Sequence, residues 1–153
     1  MDRIYIGSDH GGFELKNRLR EALKSLGIDV VDVGPSGYDK DDDYPDYAEK
    51  VCGEIEATGG RGILICKSGH GMVITANKFR GIRASLCWSK ESAVCGKRDD
   101  DINVLCLPGD FVTAEQAIEV AKAWIDTPYG TAGRYARRLS KVQDIEDRNF
   151  RKQ

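Results

Sequence analysis

The segment Cys66-Lys67-Ser68-Gly69-His70-Gly71 places a thiol, an ammonium, a hydroxyl and an imidazole around two glycines. Glycines let a backbone approach a ligand closely, and a turn that opens a helix presents N–H groups and a positive dipole end. An anion, or an oxyanion formed during reaction, is stabilised in such a turn. A cysteine beside Lys67 and a helix start has the electropositive surroundings in which thiolates serve as bases or nucleophiles. A helix start with a buried, inert thiol would carry the same local sequence. Three other uses fail on spacing. A Walker A loop, GxxxxGK[ST], is absent. The arginine of a thiol phosphatase loop would fall at Met72, and the third glycine of a dinucleotide loop would fall at Ile74.

A second turn, Ser8-Asp9-His10-Gly11-Gly12, offers Asp9 and His10. The chain has 2 histidines, and both, His10 and His70, sit in turns of this kind. A metal site built from Asp9, His10, Cys66 and His70 matches no zinc spacing, so no metal is expected. The run Asp39-Lys40-Asp41-Asp42-Asp43 lacks the glycine and glutamate of a calcium loop, which fall at Tyr44 and Lys50. It reads as a solvated loop. Asp99-Asp100-Asp101 reads as a solvated turn before a strand, open to a catalytic role. Arg134 and Arg138 lie four apart on one helical face, a spacing that could clamp a phosphate with paired N–H donors or serve surface ion pairs.

Alternating elements must position these groups. Apolar, strand-length runs are read at 3–7, 28–33, 62–66, 82–88 and 102–107. Amphipathic stretches at 14–26, 45–55, 69–79, 91–98, 113–125 and 133–147 read as helices. Leu15, Leu19, Ala22, Leu23 and Leu26 form one apolar face, with Gly27 as the stop. Pro45 suits a first helical turn, and Thr113 with Gln116 fits a capping box. Alternating β and α units predict a parallel sheet covered on both faces. Ligands of such sheets bind beyond the carboxyl ends of the strands, where the turns after residues 7 and 66 fall.

The chain has 153 residues, with no linker or repeat to divide it, and is read as a single domain over 1–153. Hydrophobic residues are 41% and charged residues 31%, which excludes a disordered or fibrous chain. Net charge is -2, so nothing global points to nucleic acid. Residues 134–153 carry 7 Lys/Arg against 3 Asp/Glu, a basic segment that suits an anionic ligand, a partner subunit or a solvated helix face. No apolar run approaches the ~18 residues of a membrane span. The cysteine count of 5 is odd and no CxxC occurs, which fits a reduced, cytoplasmic protein.

SDHGGFELK (8–16), DYPDYA (43–48), GILICKSGHGM (62–72), ANKFRGIRASLC (76–87), NVLCLPG (103–109) and GRYARR (133–138) together resemble the ribose-5-phosphate isomerase B family. That family also contains galactose-6-phosphate isomerase subunits. The resemblance implies a Rossmann-like, three-layer α/β/α domain with a five-stranded parallel sheet plus a C-terminal helix. It implies metal-free and cofactor-free aldose–ketose isomerisation of a phosphorylated sugar, ribose 5-phosphate by default. It further implies a dimer, or a tetramer, whose active site is shared between subunits, with the helix near 133–147 packed on the partner. By resemblance, Cys66 is the base that moves a proton between C1 and C2, and its side chain is expected to emerge, wet and ionisable, into a phosphate-sized hollow walled by two protomers. Ser68 and the backbone of Lys67, Gly69, His70 and Gly71 cradle the enediolate. Asp9 and His10 contact sugar hydroxyls or phosphate, and Arg134 and Arg138 hold the phosphate.

Several positions depart from the family pattern. Asp99-Asp100 stands where the family has His-Asn, and that His is credited with ring opening. Asp99 could act as an acid only with a raised pKa. Lys67 replaces a glycine, His70 a small apolar residue, Asp110 an arginine, and Tyr135 a histidine. Two alternatives follow: an isomerase of a tetrose or hexose phosphate, and a phosphosugar-binding module without turnover.

Overall fold

The computed structural model describes residues 3–150; Asp2 and the basic Arg151 and Lys152 lie outside them. The elements are β1 Ile4–Ser8, α1 Phe13–Ser25, β2 Val30–Gly34, α2 Tyr44–Thr58, β3 Arg61–Cys66, α3 His70–Ala76, β4 Ala84–Leu86, α4 Lys90–Asp100, β5 Val104–Pro108, α5 Ala114–Asp126 and α6 Gly133–Asn149. The 5 strands are all parallel in the order β2-β1-β3-β5-β4.

Pleat alternation divides the core into two halves. Ile4, Ile6, Ile63, Ile65, Leu105 and Leu107 meet Leu19 and Leu23 of α1, Ala93 of α4 and Trp124 of α5. On the other face, Tyr5, Leu64, Cys66, Val104 and Cys106 meet Ala48, Val51 and Ile55 of α2 and Met72 and Ala76 of α3. Covering both faces is why the strands read as continuous apolar runs. The result is the expected α/β/α arrangement.

Several boundaries differ from the sequence reading. Leu26 is 51% exposed, because α1 ends at Ser25 and Gly27 turns the chain at φ 78. The inward face of α1 includes Lys16 instead, which is fully buried. α3 spans only seven residues, because the Asn77 side chain leaves the helix and exchanges two hydrogen bonds with the backbone of Ala84. β4 is shortened to three residues at the sheet edge, where Ser89 turns away to cap α4. α4 runs on to Asp100, so Asp99 and Asp100 form its last turn rather than a loop. Asp101 ends it at φ 48, bonded to Lys97 and Arg83.

Three central strands end together and their loops are stitched to one another. The Asp9 N–H donates to Ile65 O at 3.3 Å, the Gly109 N–H to Cys66 O at 2.8 Å, and the Asp110 N–H to Lys67 O at 2.9 Å. The loop after β2 is pinned from below. Lys16 Nζ donates to Asp32 Oδ2 at 2.6 Å and to Pro35 O at 3.0 Å, and Arg20 shares the same carboxylate at 2.6 Å.

α6 buries only Tyr135 among its described residues. With β4 and the α4–β5 connection it frames an open groove of about 390 Å³, lined by Ile82, Ile102, Leu139, Val142 and Ile145. Among the described residues no helix is long and apolar enough to cross a membrane.

Candidate active site

The β1 and β3 turns meet at the carboxyl end of the sheet. Cys66 ends β3, and its Sγ accepts a hydrogen bond from the Gly69 N–H at 3.1 Å. That geometry requires Gly69 in the left-handed region, at φ 78, and a Cβ there would lie 2.4 Å from Leu86 Cδ1. Ser68 Oγ accepts from the His70 N–H at 3.4 Å, while the His70 side chain itself is exposed. Gly71 is required by Tyr44, whose ring lies 2.6 Å from where a Cβ would be. Lys67 is exposed, with its stem laid across Gly11, where a Cβ would meet Lys67 Cγ at 2.3 Å.

The thiol does not stand open in this protomer. Cys66 is 5% exposed and packs with Met72 and Ala76, because its side chain follows the pleat toward α3. The seven-residue α3 contributes a short dipole, so the directed Gly69 N–H is the local group that stabilises charge on sulfur.

Asp9 is 5% exposed and caps the 3-10 turn His10–Gly12 by accepting from the N–H groups of Gly11 at 2.9 Å and Gly12 at 3.3 Å. Burial pushes its carboxyl above the usual range, against the opposing pull of His10 and the two N–H donors. His10 is held by Asp42, whose acidic run has the composition of a solvated loop. Asp42 Oδ1 accepts from the His10 backbone N–H at 2.9 Å and pairs with Nδ1 at 2.7 Å. That hydrogen bond raises the His10 pKa, aided by Asp9 and opposed by desolvation and Lys67. The ligand-type atoms of Asp9, His10 and Asp42 lie within 4.8 Å of one another. Nδ1 is spent on Asp42 and Asp9 Oδ1 on two amides, so the cluster is knit by hydrogen bonds. Cys66 and His70 stand outside it. No local sequence signal marked Asp42, since its partner is 32 residues away.

A second cluster forms where α4 ends and α6 begins. Arg98 grips Asp99 with Nε at 2.6 Å and Nη2 at 3.2 Å. The Arg98 guanidinium, more than any other neighbour, holds the Asp99 carboxyl below its ordinary range. That direction is opposite to the raised pKa that an acid at Asp99 would need. Arg134 lies 4.9 Å over the Tyr135 ring and donates to its hydroxyl at 3.2 Å. Tyr135 is packed against Gly130, whose N–H donates to Arg98 O at 2.8 Å. Arg138 is exposed one turn further on. Asp100 faces the groove beneath α6 rather than joining Asp99. Among the described residues no hydrogen bond links this cluster to the Cys66 turns.

The chain matches the family model described as Ribose/Galactose Isomerase over residues 4–142. It is 38% identical over 141 residues to a probable ribose-5-phosphate isomerase B of Mycoplasma genitalium, covering 91% of this chain and 92% of that protein. It is 35% identical over 145 residues to the ribose-5-phosphate isomerase B of Mycobacterium tuberculosis, covering 94% and 90%. A crystal structure of the Mycoplasma genitalium isomerase with bound ribulose-5-phosphate superimposes with a TM-score of 0.90 at 37% identity, covering 95% of this chain and 96% of that one. Strand order, helix layering and the glycine turn at Cys66 thus agree with sequence likeness along nearly the whole length, and the chain belongs to the ribose/galactose isomerase family.

Proposed function

We propose that the chain interconverts an aldose phosphate and its ketose, with ribose 5-phosphate and ribulose 5-phosphate as the pair. Cys66 Sγ, as thiolate, takes the C2 proton of the open-chain aldose. The released electron pair forms the C1=C2 bond of an enediolate, with negative charge on O1. The thiol then returns the proton to C1 while a proton passes from the O2 hydroxyl to O1, so that C2 becomes the carbonyl carbon and C1 carries the hydroxyl. The Ser68 hydroxyl and the turn N–H groups other than those of Gly69 and His70, which serve Cys66 Sγ and Ser68 Oγ, meet the oxygens on which charge develops. Asp9 and His10 contact the sugar. Arg134 and Arg138 bind the phosphate of a substrate held by a second copy of the chain, since they belong to the separate cluster at α6. The reading therefore includes a dimer with α6 against the partner, and needs neither metal nor cofactor.

The observation that carries the reading is Cys66 at the end of a central strand, its sulfur accepting the Gly69 N–H at 3.1 Å beside the buried Asp9. Family membership supplies the reaction class. The test is ketose formation from tetrose, pentose and hexose phosphates, with ribose 5-phosphate expected to turn over fastest. Cys66→Ala should lower kcat by roughly 10²–10⁴ with little change in unfolding midpoint. An active enzyme indifferent to that substitution refutes the mechanism. Thermal stabilisation by sugar phosphates without turnover of any refutes the isomerase.

A further inference from the structure

Asp42 makes more of His10 than a surface imidazole, and we propose that Asp42 is a positioning residue that fixes His10 as a hydrogen-bond donor to an oxygen of the substrate. The inference rests on the isomerase reading for the identity of that substrate. Two contacts to one carboxylate oxygen hold both the backbone and the ring of His10. With Nδ1 committed, Nε2 is the ring nitrogen left to meet a ligand. Asp42 is itself rigid, with its side chain 7% exposed. The loop around it is closed by the Asp41 N–H on Asp39 Oδ1 at 3.0 Å and the Asp42 N–H on Asp39 O at 3.3 Å.

Charged groups face His10 from three elements. From the β1 turn, Asp9 faces the imidazole; from the loop after β2, Asp42 does; from the β3 turn, Lys67 opposes both. The Tyr38 ring meets His10 edge-on at 6.5 Å. Burial, then a hydrogen bond to Asp42 and the fields of Asp42, Asp39 and Asp46, push up the phenol of Tyr47 on α2. Two carboxylates flank the ring against one ammonium. With the ring protonated, these charges balance, so nothing there favours a phosphate dianion over a neutral hydroxyl or ring oxygen as the acceptor of Nε2. The pairing raises the His10 pKa, so the ring remains a double donor to higher pH.

The chain's 2 histidines make the test direct. Proton NMR follows both imidazoles through a pH titration, with His70→Gln assigning the signals. In Asp42→Asn the His10 transition should fall by about one pH unit or more. The pH above which KM rises should fall with it, while kcat at pH 6 changes less than about twofold. Asp42→Glu should restore most of the shift. In a His10→Gln background, Asp42→Asn should add nothing, because a positioning residue acts only through its partner. An unmoved His10 transition, a KM increase equal at all pH values, or a further loss in the double variant would overturn the proposal. If the parent enzyme turns over no aldose phosphate, the isomerase reading fails separately. The His10 titration needs no turnover and still decides the pairing.

Discussion

Gly69 and Gly27 share the same backbone conformation, each with φ 78, yet serve different ends. Gly27 has nothing within 4 Å of a prospective Cβ, so Gly27→Ala bears only the left-handed penalty of about 1 kcal/mol. At Gly69 the same methyl would strike Leu86 Cδ1 at 2.4 Å and approach the Leu107 backbone at 3.3 Å. Gly69→Ala should cost roughly 3 kcal/mol and displace the N–H that serves Cys66. Urea midpoints of the two variants check the difference. Equal losses would show that backbone strain alone matters. The residue level was legible where chemistry is local: the Cys66 turn, Asp9 and the helix stop at Gly27 all announce themselves by type and spacing. The burial of Cys66 was not, because it depends on which face of the pleat α3 covers.

At the level of elements, α1 carries the loop that carries Asp42. Lys16 is fully buried, and Asp32 is its anionic partner. Burial alone would raise the Asp32 pKa, but Lys16, the Gly34 N–H and Arg20 outweigh it and hold the carboxyl below its ordinary value. A depressed carboxyl pKa contributes stability that is present above the unfolded value, roughly 3.9, and is lost as pH falls through the lower folded value. Asp32→Asn leaves the buried ammonium with Pro35 O and the face of the Phe13 ring at 5.5 Å but no counter-charge of its own, and should cost about 3–5 kcal/mol at neutral pH. It should also remove that acid limb from the stability profile, as measured by denaturant unfolding between pH 2 and pH 7. A neutral outcome would assign the anchoring to Arg20 and hydrophobic contacts. The sequence placed Lys16 outside the apolar face of α1, since a lysine at a core position shows no periodic signal unless its partner is known.

For the molecule as a whole, the two clusters stand apart on one chain: Cys66 with Asp9 and His10 at the sheet end, Arg134 with Tyr135 and Asp99 where α6 meets α4. A shared site between copies predicts complementation. Cys66→Ala and Arg134→Ala chains should each be inactive alone. Mixed through reversible dissociation, random pairing should restore about a quarter of parental activity, because half the dimers would hold one intact site of two. No recovery, with mixed dimers demonstrated by mass spectrometry, would place both groups in one protomer's site. The exposed Val142 and Ile145 on α6, 53% and 50% accessible, are the apolar surface such a partner would cover. The midpoint of thermal unfolding should then rise with protein concentration.

What can be read from the chain without coordinates follows from local periodicity. Strands buried on both faces are apolar throughout, helices bury every third or fourth residue, and the Thr113–Gln116 capping box forms as its spacing predicts. The αβ alternation then leaves a parallel sheet with helices on both sides as the economical packing. Strand order, the run of α4 to Asp100, and the partners of Asp42 and Asp99 needed the folded molecule. Ser89 caps α4 with Ser92 rather than Glu or Gln at the third position, which hides the signal. Asp42 differs from its acidic neighbours only in meeting His10 across 32 residues of chain. Charge state and burial depend on distances closed by the whole fold, and neither composition nor spacing encodes them.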